Sequence, residues 1–155
     1  MANHSEASRQ KVVDDVAEHG WMCVHLRAEG HEGPYSYTVG LFRTYSHPEL
    51  AVFGLSCEVA HQVLNNAVAL IQQGHALDPS QPVSGLVEDC SCLLASVPVT
   101  ELQRYFGICR SYYEGDRFAM LQIIWPTRQG QFPWDASSTA GFRAMQPIVG
   151  HLAWG

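Results

Sequence analysis

His47 and Glu49 flank Pro48 in PYSYTVGLFRTYSHPEL, residues 34–50. A proline pushes the residue before it into an extended backbone, and side chains two apart on an extended chain point the same way. An imidazole and a carboxylate so placed could share a ligand, or serve as a general base and the group that orients it. Asp135, at the end of GQFPWD, is a second carboxylate able to orient the imidazole. The catalytic candidates are therefore His47, Glu49 and Asp135. The competing reading is architectural: the His-Pro-Glu step only shapes the entrance to a strand.

Other residues have the types needed to hold a ligand. Thr38 and Gly40 share one face of the period-2 run YSYTVGLF (35–42), with Tyr35, Tyr37, Val39 and Leu41 on the other. Glycine inside a strand often marks the close approach of a ligand or another backbone. Gln122 interrupts the apolar run from Phe118 to Trp125, and a buried amide must find hydrogen bonds. WPTRQGQFPWD (125–135) packs Trp125, Phe132 and Trp134 around a turn at Gln129-Gly130. It forms either a lid over the sheet or an aromatic pocket wall. The expected ligand-binding set is Thr38, Gly40, His47, Gln122, Trp125 and Trp134, with His47 at the mouth of a cleft beside Trp125 or Trp134.

Cysteine chemistry gives weaker signals. Cys57 opens a helix just after Ser56, where a thiol is acidified, and His47 or His61 could act as its base. Cys90 and Cys92, with a histidine, could hold zinc, but their spacing is not that of a zinc knuckle. No HxxxH or CxxC lies near His47, and P-loop, GxGxxG and GxSxG patterns are missing. The expectation is no metal and no cofactor.

The elements that must position these residues follow from periodicity. Residues 4–19 read as a helix capped by Ser5, with Val12, Val13 and Val16 as its stripe and Gly20 at its end. WMCVHLRA (21–28), the turn EGHEGP, YSYTVGLF and LAVFGL (50–55) make an antiparallel meander, because the connections are too short for crossovers. Ser56 caps a helix to about Gln73 whose stripe is Ala60, Leu64, Ala67, Val68 and Ile71. LVEDCSCLLASV (86–97) reads as one strand, 100–113 as one helix, and RFAMLQIIW (117–125) as a central strand. Residues 126–155 carry little period and should wrap over the sheet. The fold class is α+β: one domain over 1–155, with a mainly antiparallel sheet of about five strands and helices on one face.

Composition excludes several classes. Fifteen acidic residues against nine basic give a net charge of −6, and Lys11 is the one lysine, so a phosphate-binding surface is not expected. No apolar run approaches the ~20 residues of a membrane span, and the start, MANHSEASRQ, has no secretory apolar region. Five cysteines, an odd count, fit reduced thiols in the cytoplasm.

At YTVGL, HPEL, FGL, MLQIIWP, GQFPWD and QP the chain resembles a bacterial family catalogued as domain of unknown function four-two-six-two. The likeness runs from about Gly20 to about Gly150. It carries Tyr37, Thr38, Gly40, Leu41, His47, Pro48, Glu49, Leu50, Gln122, Trp125, Pro126, Gly130, Phe132, Pro133, Trp134, Asp135, Gln146 and Pro147. One departure is Thr127, where the family has aspartate. The resemblance implies a cytoplasmic bacterial protein and supplies no activity.

The expected function is a small accessory module binding a small molecule, peptide or partner protein. Low charge and a surplus of aromatic residues near the C-terminus support a binding surface. The alternative is a small hydrolase or peptide-modifying enzyme with His47 as general base and Glu49 or Asp135 beside it. No nucleic acid and no membrane partner is expected. Convergence of His47, Glu49, Gln122 and Asp135 in one pocket would favour chemistry. Dispersal would favour binding.

Overall fold

Alternate residues of PYSYTV part to opposite sides of a strand, and each side meets a different helical layer. The computed structural model describes residues 2–27 and 33–153. In chain order they form α1 (Ala2–His19), β1 (Met22–Arg27), β2 (Pro34–Val39), α2 (Leu41–Tyr45), β3 (Glu49–Phe53) and α3 (Cys57–Gln72). There follow β4 (Val83–Val87), β5 (Cys90–Ser96), α4 (Val99–Tyr105), α5 (Gly107–Tyr113), β6 (Met120–Ile124), α6 (Ala140–Met145) and β7 (His151–Leu152).

The fold is α+β, with one mixed, mostly antiparallel sheet of order β1-β2-β3-β6-β5-β4. β1–β2–β3 is the expected antiparallel meander. β6 is central, running parallel to β3 and antiparallel to β5. β4 pairs with the first half of β5, and β7 with its end at Ala95 and Ser96. The described residues thus contribute seven strands rather than about five.

Helices cover both faces, not one. Val12 and Val16 of α1, Leu102 and Tyr105 of α4, and Cys109 and Tyr112 of α5 pack on Tyr35, Tyr37, Val39 and Phe53. On the opposite face the stripe of α3 (Ala60, Val63, Leu64, Ala67, Val68, Ile71) packs on Leu50, Val52, Leu94 and Ile123. Accordingly β3 and β6 are buried at every position, as strands covered on two sides are.

Four boundaries differ from expectation. α1 begins at Ala2, upstream of Ser5, so Ser5 is not its cap. β2 stops at Val39; Gly40 turns left-handed at φ +111, and Leu41 enters α2 and the α3-side core instead of continuing the tyrosine face. The span 86–97 is a hairpin, because Asp89 takes a left-handed φ of +61, a conformation Asp tolerates better than most residues. The helix over 100–113 breaks at Phe106, whose ring turns into the core edge-on to Tyr37, 5.0 Å between centroids. The turn EGHEGP lies mostly outside the described residues. As expected, Ser56 caps α3 by accepting from the Val59 amide.

Candidate functional site

Glu49 is fully buried, and its carboxylate is encircled by donors. Oε1 accepts from Thr38 Oγ1 at 2.7 Å and the Leu41 amide at 3.1 Å. Oε2 accepts from the amides of Gly40 at 2.9 Å and Phe42 at 3.2 Å, and from the Tyr113 hydroxyl. The first amides of α2 are therefore capped by a side chain from β3 rather than by their own N-cap residue. Both hydroxyls have fixed roles: Thr38 Oγ1 accepts from the Leu50 amide at 2.9 Å, and the Tyr113 oxygen from the Arg43 amide at 3.2 Å. Burial pushes the Glu49 carboxyl up from its ordinary value, against the pull of the Tyr113, Thr38, Phe42 and Gly40 donors. Burial also pushes the Tyr113 phenol up, the neighbouring Glu49 charge adding to it, so Tyr113 stays a donor.

Gly40 is required twice over. Besides its positive φ, a Cβ there would stand 2.9 Å from the Gly20 carbonyl oxygen and 2.9 Å from Val16 Cγ1. Thr38, Gly40 and Glu49 thus form an internal knot, and they present no polar atom to a ligand.

His47 is buried as well, and both ring nitrogens are taken. Nε2 accepts from the Leu77 amide at 2.9 Å, so the proton sits on Nδ1, which donates to the Pro48 carbonyl at 2.9 Å. Burial lowers its pKa, the Pro48 bond opposing. The expectation of His47 on a cleft rim beside a tryptophan is corrected: it is a neutral core residue anchoring the loop after α3.

Gln122 and Trp125 hold down the closing segment. Gln122 Nε2 donates to the Pro147 carbonyl at 2.7 Å, and its Oε1 accepts from the amides of Val149 at 2.8 Å and Gly150 at 3.1 Å. Gln146 Oε1 accepts from the Trp125 amide and its Nε2 donates to the Trp125 carbonyl, both at 2.9 Å, imitating a strand partner. Trp125 Nε1 donates to the Phe53 carbonyl at 2.8 Å. Close approach at Gly54, where a Cβ would meet the Met145 carbonyl oxygen at 2.7 Å, seats this segment.

Asp135 is a turn-former: its Oδ2 accepts from the Phe132 amide at 2.7 Å, and its carbonyl accepts from Arg143 at 2.8 Å. Trp134 stacks on Phe132 at 5.1 Å and leaves 44% of its surface exposed. At Thr127 the hydroxyl accepts from the Gln131 amide at 3.1 Å, a bond an aspartate could also accept. The structure disperses His47, Glu49, Gln122 and Asp135 into separate internal networks. Among the described residues, no buried side-chain nitrogen or oxygen lacks a partner.

Two other places escaped the sequence reading. A groove of about 860 Å³ runs between α3 and the β4–β5 hairpin, lined by Gln62, Asn66, Leu86, Glu88, Asp89 and Arg128 among others. A second cluster joins β1 to the start of α3: ligating atoms of Cys23, His25 and His61 all lie within 4.8 Å of one another. Cys23 Sγ is 3.5 Å from His25 Nε2, and His25 Nδ1 is 2.7 Å from the buried Ser36 hydroxyl. Burial raises the Cys23 thiol pKa to about 12, with the nearby Cys57 charge adding. The expectation of no metal-ligating cluster overlooked this set, because its members come from two elements and meet only in the fold.

The family described as "Domain of unknown function (DUF4262)" matches residues 15–139. The chain belongs to this family. Within the DUF4262 match fall the Glu49 knot, His47, Gln122, Asp135 and the Cys23 cluster, whereas Gln146 and Pro147 lie beyond it. No curated protein and no solved structure matches the chain. No described helix is long and apolar enough to cross a membrane.

Proposed function

We propose that this DUF4262 protein is a non-catalytic module that binds a small polar molecule in the groove between α3 and the β4–β5 hairpin. The observation that carries the reading is the groove's lining. Gln62, Asn66, Glu88, Asp89 and Arg128 border one concavity whose floor includes Val63 and Leu86. That mixture of an apolar base and a few polar groups, in a volume of about 860 Å³, is typical of small-ligand sites. A register shift between Ser84 and Val87 interrupts the ladder of β4, which disfavours an added peptide strand along this edge. The catalytic alternative lacks its groups: His47 has no free nitrogen, and Glu49 already accepts five hydrogen bonds.

A bacterial, cytoplasmic setting belongs to the same proposal: five free thiols support a reducing compartment, and the bacterial origin rests on what the sequence resemblance implies. The acidic net charge supports a partner other than nucleic acid. Thermal-shift screening of a metabolite library, with native mass spectrometry of the purified chain, tests the reading. A binder whose shift is lost in Arg128→Ala and Gln62→Ala, but kept in Arg104→Ala on α4, supports it. A binder indifferent to both groove variants, or no binder and no mass adduct at all, overturns it.

A further inference from the structure

We propose that Cys23, His25 and His61, with Cys57 as fourth ligand, bind a borderline divalent transition ion of the zinc class. This is a site apart from the groove and does not depend on it. The topology supplies the ligands in two pairs. Cys23 and His25 are two apart on β1, so both project to the same side of the sheet, where Cys23 packs against the core beneath α3. Cys57 and His61 are four apart at the start of α3, so they share one helix face. His61 meets the first pair at the crossing of strand and helix, its ring 5.8 Å from that of His25 between centroids, and Cys57, one turn earlier on α3, borders the same surface depression as His25 and Ser36.

The spacing suits tetrahedral coordination. With zinc–sulfur and zinc–nitrogen bonds near 2.3 and 2.0 Å, the sulfur–nitrogen edge of a tetrahedron is about 3.5 Å. Cys23 Sγ and His25 Nε2 are already 3.5 Å apart. Ser36, paired with His25 across β1 and β2, stands where a ligating imidazole needs a partner for its second nitrogen. Donation from Nδ1 to the Ser36 hydroxyl leaves the Nε2 lone pair facing Cys23. Thiol and imidazole without carboxylate select zinc-class ions over calcium or magnesium. Cys57 and His61 are exposed, so an ion can enter from solvent and their side chains can close on it. Binding releases one proton to solvent from each thiol that coordinates as thiolate.

Cobalt(II) titration of the demetallated full chain, under a non-chelating reductant, followed by zinc competition, is the test. One ion per chain is expected, with the strong visible bands of tetrahedral cobalt and a near-ultraviolet thiolate-to-cobalt band. His61→Ala changes only an exposed helix residue and should fold; its affinity should fall roughly 100-fold or more. Ser36→Ala should weaken binding about 10-fold, and Cys57→Ser should lower the thiolate band by about half, one of two thiolates being lost. His151→Ala, exposed on β7, should change nothing. Substoichiometric uptake, or a weak octahedral spectrum, overturns the site. So does affinity unchanged in His61→Ala, which would mark adventitious binding. A thiolate band unchanged in Cys57→Ser overturns the four-ligand assignment.

Discussion

The Tyr113 hydroxyl of α5 donates to the carboxylate of Glu49, sixty-four residues earlier on β3. That bond ties a helix on one face of the sheet to a carboxylate whose backbone donors start α2. Tyr113→Phe should keep the ring packing and lose the donor, costing roughly 1.5–3 kcal/mol, as a hydrogen bond to a charged group does. Glu49→Gln should cost more, about 3 kcal/mol or above, because an amide nitrogen would then face backbone donors. Urea unfolding monitored by circular dichroism gives both values, and a loss under 1 kcal/mol in Glu49→Gln would contradict the network.

His47→Ala should destabilise by about 2–4 kcal/mol near neutral pH, since the Leu77 amide loses its acceptor and a cavity opens. The same residue sets a pH dependence. Its folded pKa is lowered by burial, so the folded state holds fewer protons than the unfolded chain at acidic pH. Its contribution is complete above about pH 6.5, the unfolded value, and is lost as pH falls through the lower folded value. The stability gap between wild type and His47→Ala should therefore shrink on acidification. A gap that is constant from neutral to acidic pH would count against a buried neutral imidazole.

Gln122→Leu should release the closing segment without unfolding the sheet. The amides of Val149 and Gly150 lose their acceptor, and Pro147 loses its donor. Trypsin should then cut at Arg128 or Arg143 faster than in wild type, and Trp125 fluorescence should shift as its surroundings open to water. Unchanged cleavage would mean that Gln146 alone holds the segment.

Gly40→Ala should be among the most damaging single changes, about 3 kcal/mol or more, because left-handed strain and a backbone clash act together. Gly74→Ala is the comparison: φ there is also positive, at +92, but a Cβ would meet nothing within 4 Å. It should cost about 1 kcal/mol. Equal losses at the two sites would show that the clash contributes nothing.

Local periodicity made the meander, α3 and the central place of β6 legible, because each buries a regular face. α2 was not legible. A five-residue helix has no period of its own and exists because Glu49, eight residues past Leu41, supplies its cap. The polar motif residues were found but misassigned for the same reason: type and spacing identify a hydrogen-bonding group, and only the fold says whether its partners are internal. The Cys23–His25 and Cys57–His61 pairs are each unremarkable in sequence, and the meeting of His61 with the first pair depends on α3 crossing over β1.

The side-chain amide of Gln146 does for the end of β6 what a neighbouring strand would do, and it lies outside the residues that the family pattern covers. A fragment cut to 15–139 would contain the whole central strand yet leave the Trp125 amide and carbonyl and the Gln122 side chain facing water beside an uncovered sheet. The autonomous unit must reach at least to Gly150. Any shorter boundary for expression or fusion would therefore remove a part of the interior rather than a tail.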